Sequence, residues 1–136
     1  MANHRLRPAA ALVTALALAG CVPDIPEPDR AERIAAECAA VAAGYETWSA
    51  SSALPDSQPV ADTLGQEQLD QLGREAAAFR DLLQPYQGET VRSLRAAAAT
   101  VERVAGQATP GRVGTLLAAV AGVEAAHRSY AAEVCA

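Results

Sequence analysis

Apolar side chains recur at alternating steps of three and four residues in four successive segments of the chain. The first series is Ile34, Cys38, Val41, Tyr45 and Trp48. This spacing keeps one face of a helix, its seam, toward a core. No useful length of sequence alternates polar and apolar residues in the manner of a strand, and alanine is abundant. The pattern therefore predicts an all-α protein.

A proline-rich loop separates the first two predicted helices. Helix one is expected over about 29–50, and the Ser/Pro-rich stretch 51–60 then interrupts the period because proline cannot continue a helix. A second helix is expected from about Thr63, where Thr63 and Gln66 approximate a capping box, and it ends at Pro85.

A shorter connection separates the last two predicted helices. Helix three is expected to stop near Gly106, and Thr109 and Pro110 then suit the N-cap and the first position of helix four. The seams of the last three helices are predicted to be Leu69, Leu72, Ala76, Phe79 and Leu83; Val91, Leu94, Ala98, Val101 and Ala105; and Val113, Leu116, Val120, Val123, His127, Tyr130 and Val134.

The N-terminal residues have the layout of a secretory signal. Positive charge at Arg5 and Arg7 precedes an apolar stretch, 9–19, that carries no ionised side chain. This stretch is about half of the roughly 20 apolar residues that a transmembrane helix needs. A permanent membrane span is therefore not expected.

The apolar stretch ends in Leu18, Ala19, Gly20 and Cys21, which resemble the lipobox of bacterial lipoproteins. The resemblance covers only this segment. It implies that residues 1–20 are a signal peptide removed before Cys21, and that the cysteine receives covalent diacylglyceryl and N-acyl lipid. Because two acyl chains anchor a protein stably, the chain is expected to be exported and lipid-anchored to the cell membrane or outer membrane, facing the periplasm or the cell exterior. An ordinary signal peptide with a chance cysteine is the alternative.

Residues 21–28 contain three prolines and predict an extended tether. At the fully extended limit such a tether would hold the following domain up to about 25 Å from the lipid. The rest of the chain, 29–136, is expected to form one helical bundle domain, because its length suits a single modest core.

With Cys21 assigned to lipid, Cys38 and Cys135 remain in a compartment that permits disulfides. They are predicted to pair, and two buried free thiols are the alternative. An up-down bundle places the start of its first helix and the end of its last helix together only when the helices are even in number. The expected fold is therefore an antiparallel up-down four-helix bundle with one disulfide joining the first and last helices.

The charge of the chain argues against nucleic-acid binding. After removal of residues 1–20 it has nine arginines, no lysine and sixteen acids, a formal charge of −7, whereas phosphate neutralisation needs a clustered basic surface. Three arginines of helix three, Arg92, Arg95 and Arg103, could engage an acidic partner. The alternative is that they pair with acids of helices one and two.

The sequence offers little catalytic chemistry. His127 lies on a seam three residues after Glu124, which is half of a di-iron motif, but the second half is missing. A partly buried core histidine is therefore expected, with no metal and no cofactor. Motifs for covalent haem, serine hydrolases, zinc proteases and phosphate loops are absent from the sequence. If Cys38 and Cys135 are disulfide-bonded, neither can act as a nucleophile. No enzyme activity is expected, and a hydrolase that uses His127 is the alternative.

Tyr45 and Trp48, near the end of helix one, are the candidate partner contacts, because tryptophan often anchors interfaces. Their seam positions fit core packing as well. The anchor, the tether and the missing catalytic motifs predict a non-catalytic protein-interaction or structural module whose partner is another envelope protein. The alternative is a carrier or sensor of a small apolar ligand or lipid in the bundle interior.

Overall fold

The computed structural model describes residues 29–136. The predicted signal peptide, the lipobox with Cys21 and the tether lie outside the described residues. Within 29–136 the protein is all-helical and has no strand, which confirms the predicted fold class. Its five helices are α1 (Arg30–Ser49), α2 (Gln58–Asp62), α3 (Gln66–Leu83), α4 (Glu89–Gln107) and α5 (Leu116–Val134).

The four long helices pack around one core. The α3 helix lies beside α4, α4 lies beside α5, and α1 contacts both α3 and α5, while the short α2 reaches α5. Every predicted seam residue of α3 and α4 is buried. The largest fully buried side chains are Tyr130, Leu69, Leu72, Leu83, Leu94 and Leu116. The three-four period therefore identified the core correctly along these two helices.

The first helix is less deeply embedded than the others. It begins at Asp29, whose carboxylate accepts a hydrogen bond from the Glu32 N–H at 2.8 Å. Of its seam residues only Val41 and Trp48 are buried, and Ile34 is half-buried. Because α1 buries few side chains, it draws less stability from packing than α3 or α4 does.

The predicted start of the second long helix is wrong, because a short helix precedes it. The α2 helix carries Pro59 in its first turn, where a missing N–H removes no helical hydrogen bond. Thr63 ends α2 instead of capping α3. The N-cap residue of α3 is Gly65. Its N–H donates a hydrogen bond to Gln68 Oε1 at 2.7 Å. The capping box of Thr63 and Gln66 is therefore not formed.

The predicted start of the last helix is also wrong, because a tight turn occupies it. The Arg112 N–H donates to the Thr109 carbonyl at 2.8 Å, and Gly111 between them has a φ of +78°. Proline followed by a glycine of positive φ is typical of a type II turn, so Pro110 belongs to this turn and not to a helix. The α5 helix begins at Leu116. Val113 is buried, but it lies in the connection.

None of the helices within 29–136 combines the length and the apolarity that crossing a bilayer would require.

Candidate interaction groove between α1 and α3

A disulfide joins α1 to the end of α5. The Cα atoms of Cys38 and Cys135 are 5.9 Å apart, and their sulfur atoms are bonded, which confirms the predicted pair. Beside it the hydroxyl of Tyr130 donates to Glu37 Oε1 at 2.9 Å. Burial raises the pKa of Tyr130, and the bond to Glu37 raises it further. The crosslink and this partly buried hydrogen bond together hold the first helix against the last.

His127 stacks on Tyr45 between the same two helices. The ring centroids are 3.6 Å apart and the planes are nearly parallel, at 7°. Burial lowers the pKa of His127, because removal from water destabilises the charged imidazolium more than the neutral imidazole. Burial also raises the pKa of Tyr45, as does the nearby charge of Glu124. His127 is half-buried, in agreement with the partly buried core histidine predicted from its seam position.

The Glu-x-x-His pair does not converge on one site. Glu124 is exposed and accepts a hydrogen bond from Arg128 at 2.9 Å, whereas His127 packs against Tyr45. Among residues 29–136 no group of three histidine, cysteine or acidic side chains is placed to hold a metal ion.

Trp48 belongs mainly to the core. Only 4% of it is exposed, and its ring lies nearly parallel to that of Phe79, with centroids 6.5 Å apart and planes at 13°. Tyr45 is half-buried and contacts Phe79 at a tilt. Tyr45 and Trp48 were candidates for partner contact or for core packing. Most contacts of their rings are core packing.

One side of Trp48 nevertheless lines a groove between α1 and α3. The groove has a volume of about 190 Å³ and is bordered by Gly44, Thr47, Trp48, Glu75, Ala78, Phe79 and Leu82. Gly44 allows the two helices to approach closely here, because a Cβ at this position would lie 2.9 Å from Leu82 Cδ1. Leu82 is 36% exposed and forms an apolar rim.

The wall of this groove contains a carboxylate oxygen without a hydrogen-bond partner. Glu75 Oε1 accepts from Gln71 Nε2 at 2.8 Å. Glu75 Oε2 is buried and has no hydrogen-bond partner among the described residues. A buried acceptor without a partner loses the hydrogen bonds that water gave it. Glu75 lines the groove beside Phe79 and Leu82, so the groove combines apolar contact with a carboxylate in its wall.

Sequence analysis identified Trp48 as a candidate but missed the rest of the groove. Leu82 could have been identified from the sequence. It is a large apolar residue just before the seam residue Leu83, and a residue at that position points away from the core. Nothing in the sequence identifies Gly44 or Glu75, since only the packing of α1 on α3 gives them a role.

No protein-family model matches the chain, and neither a curated protein nor a solved structure is significantly similar to it. The chain's own residues therefore carry the functional proposals that follow.

Proposed function

We propose that the chain is an exported lipoprotein whose helical domain is a non-catalytic protein-interaction or structural module of the cell envelope. Cleavage before Cys21 and lipid on that cysteine would hold it at the cell membrane or outer membrane, facing the periplasm or cell exterior. The groove between α1 and α3 is the observation that carries the interaction role. Its partner is another envelope protein.

We also infer that the four long helices form an antiparallel up-down bundle into which α2 is inserted. In three of the four neighbouring pairs, α1 with α5, α1 with α3 and α3 with α4, later residues of one helix contact earlier residues of the other, as antiparallel helices do. These contacts are Cys38–Cys135 with Tyr45–His127, Gly44–Leu82 with Trp48–Phe79, and Arg80–Glu102 with Leu83–Arg95. In this arrangement the start of α1, the disulfide and the junction of α3 with α4 share one end, which would lie nearest the membrane.

The apolar rim supports a protein partner. Val60, which is 42% exposed, and Leu82 are the exposed large apolar side chains among the described residues, and of the two only Leu82 borders this groove. Trp48 lines the groove, and tryptophan is enriched among the residues that carry most of the binding energy of an interface. A partner that inserts an apolar side chain with an adjacent donor would fit this chemistry.

The packing of the interior favours this module over a carrier or sensor of a small apolar ligand. Large side chains such as Leu72, Leu94 and Tyr130 belong to one continuous core and are at most 1% exposed. A ligand inside the bundle would have to displace them, which would forfeit their close packing. The formal charge of −7 after residue 20 likewise gives no support to nucleic acid as a partner.

Photo-crosslinking tests the interaction role. A photoreactive amino acid at Leu82 of the full chain should give a crosslinked adduct with an envelope protein in intact cells. The same amino acid at Val60, which is equally apolar and exposed, is the matched control and should give no such adduct. Adducts of equal yield at both positions, or none at Leu82, would rule out the groove as the interface.

Metabolic labelling with an alkyne fatty acid tests the anchor. The wild-type chain and the Cys135→Ser variant should both take up label, whereas Cys21→Ser should not. Label that persists in Cys21→Ser would contradict lipidation at that cysteine.

A further inference from the structure

A second, polar pocket lies where α3 ends and α4 begins. It has a volume of about 130 Å³ and is lined by Gln84, Tyr86, Gln87, Gly88, Arg92 and Arg95. None of these residues borders the groove between α1 and α3. Because its lining is mostly polar, this pocket suits a polar ligand, unlike the groove between α1 and α3.

The backbone at the end of α3 holds Arg95 in place. Its Nη2 donates to the carbonyl of Leu83 at 3.0 Å and to that of Tyr86 at 2.7 Å. Its Nε is buried and has no hydrogen-bond partner within 29–136. Because a guanidinium has five N–H donors, Arg95 retains donors beyond those that cap α3. Its charge is thus fixed in position and is met by carbonyl dipoles, not by a carboxylate.

Arg92, one turn earlier on α4, lines the same pocket and is exposed. The structure gives it no salt bridge or hydrogen bond from its side chain to any residue in 29–136. Arg80 and Arg128, in contrast, form salt bridges with acids. The sequence-based alternative, in which Arg92 and Arg95 pair with acids of the first helices, is therefore wrong for both residues. The one acid in the first turn of α4, Glu89, does not line the pocket.

The donors of this pocket match a phosphate group. A carboxylate offers two acceptor oxygens, whereas a tetrahedral phosphate offers more and can be held by two guanidinium groups together. The first N–H groups of α4 add to the positive potential, because no side chain caps them at Gly88. We infer that this pocket binds a phosphate group through Arg92 and Arg95.

Two sources could supply such a phosphate: the headgroup of a phospholipid or free inorganic phosphate. The inferred bundle places the pocket at the end nearest the membrane. Assignment to a lipid headgroup therefore rests on the proposed anchoring at Cys21, whereas the phosphate site itself does not.

A nitrogen-15 NMR titration of the full chain in a neutral detergent tests the site. The probes are inorganic phosphate and glycerophosphoglycerol, a phosphodiester headgroup without acyl chains, at an ionic strength matched with sodium chloride. The amide signals of Gly88 to Val91 and the Nε signal of Arg95 should shift and saturate. Arg92→Gln should raise the Kd by roughly tenfold, as expected for loss of a charged hydrogen bond.

Arg103→Gln is the matched control. Arg103 is also an exposed arginine of α4, but it borders a different pocket, so its loss should leave the Kd unchanged. Because Arg95 caps α3, Arg95→Gln can also weaken the fold, and a melting curve of that variant separates the two effects. Tighter binding of glycerophosphoglycerol assigns the site to lipid headgroups, and tighter binding of inorganic phosphate assigns it to the free ion. Shifts that do not saturate, or that are equal in Arg92→Gln, would overturn the site.

The outcomes of this titration and of the labelling at Cys21 are independent. Saturable binding together with a chain that takes up no lipid would keep the phosphate site and reject the anchor. The reverse result would keep the anchor and reject the site.

Discussion

The stacked pair of His127 and Tyr45 shows how one residue can make the stability of the bundle depend on pH. Burial lowers the pKa of His127 below its ordinary value of 6.5. The unfolded chain therefore takes up a proton at this histidine at higher pH than the folded protein does. Above the unfolded pKa both states are neutral there, and the histidine contributes no pH dependence. As pH falls from the unfolded pKa toward the folded one, proton uptake favours the unfolded state.

We therefore expect the melting temperature of the wild-type protein to fall when the pH is lowered from 7.5 to 5.5. The melting temperature of His127→Phe should fall less. Phenylalanine keeps an aromatic ring against Tyr45 but cannot titrate, so the variant separates charge from stacking. Thermal unfolding followed by circular dichroism at both pH values measures the difference. An equal fall in the two proteins would contradict a lowered pKa of His127 in the folded protein.

Two glycines inside helices differ in their surroundings, and the difference matters at the scale of the element. Gly122 of α5 has nothing within 4 Å of the place where a Cβ would be. Gly44 of α1 would bring a Cβ to 2.9 Å from Leu82 Cδ1 and 3.3 Å from Phe79 Cδ2. The same substitution is therefore free of contacts in one helix and crowded in the other.

Gly122→Ala should raise the free energy of unfolding by about 0.5–1 kcal/mol, because alanine loses less backbone entropy than glycine in a helix. Gly44→Ala should gain less than this or lose stability, since Leu82 must move to admit the new methyl group. Urea unfolding of both variants gives the comparison. A larger gain from Gly44→Ala than from Gly122→Ala would show that the two helices do not approach closely at Gly44.

At the scale of the whole molecule the disulfide and the shallow burial of α1 belong together. The α3 and α4 helices bury long series of aliphatic side chains against each other, whereas α1 buries only Val41 and Trp48. The bond between Cys38 and Cys135 closes a loop with a sequence separation of 97. In the chain-entropy description a loop of this size stabilises the fold by at most on the order of 4 to 5 kcal/mol.

Reduction of the disulfide, or Cys38→Ser, should lower the melting temperature by many degrees, and α1 should be the first element to lose protection. Amide hydrogen exchange of the oxidised and reduced proteins should show faster exchange in α1 at conditions where α3 and α4 stay protected. Cys135→Ser is the matched control and should behave like Cys38→Ser. An unchanged melting temperature after reduction, or uniform loss of protection, would show that packing alone holds α1.

Much of the fold was predictable because the three-four period of apolar residues reports directly on which helix face is buried. Every predicted seam position of α3 and α4 is buried, and the cysteine pair forms. The helix starts were harder, because they depend on local competition. Pro59 could end a helix or begin one, and Thr109 with Pro110 could cap a helix or form a turn; the sequence allowed both, and the structure has α2 and the type II turn.

The sequence by itself predicted the helical class and the buried faces of α3 and α4, because these follow from periodicity. It also predicted the partners in the crosslink, because the lipobox-like context sets Cys21 apart from the other two cysteines. It also carries the lipobox-like segment on which the proposed anchoring rests. Only the tertiary structure brought Gly44, Glu75 and Leu82 into one groove, and set the end of α3 against Arg92 and Arg95 in one pocket. The reason is physical: a groove or a pocket depends on how closely separate segments pack. Neither the spacing nor the composition of a single segment specifies how far it lies from another.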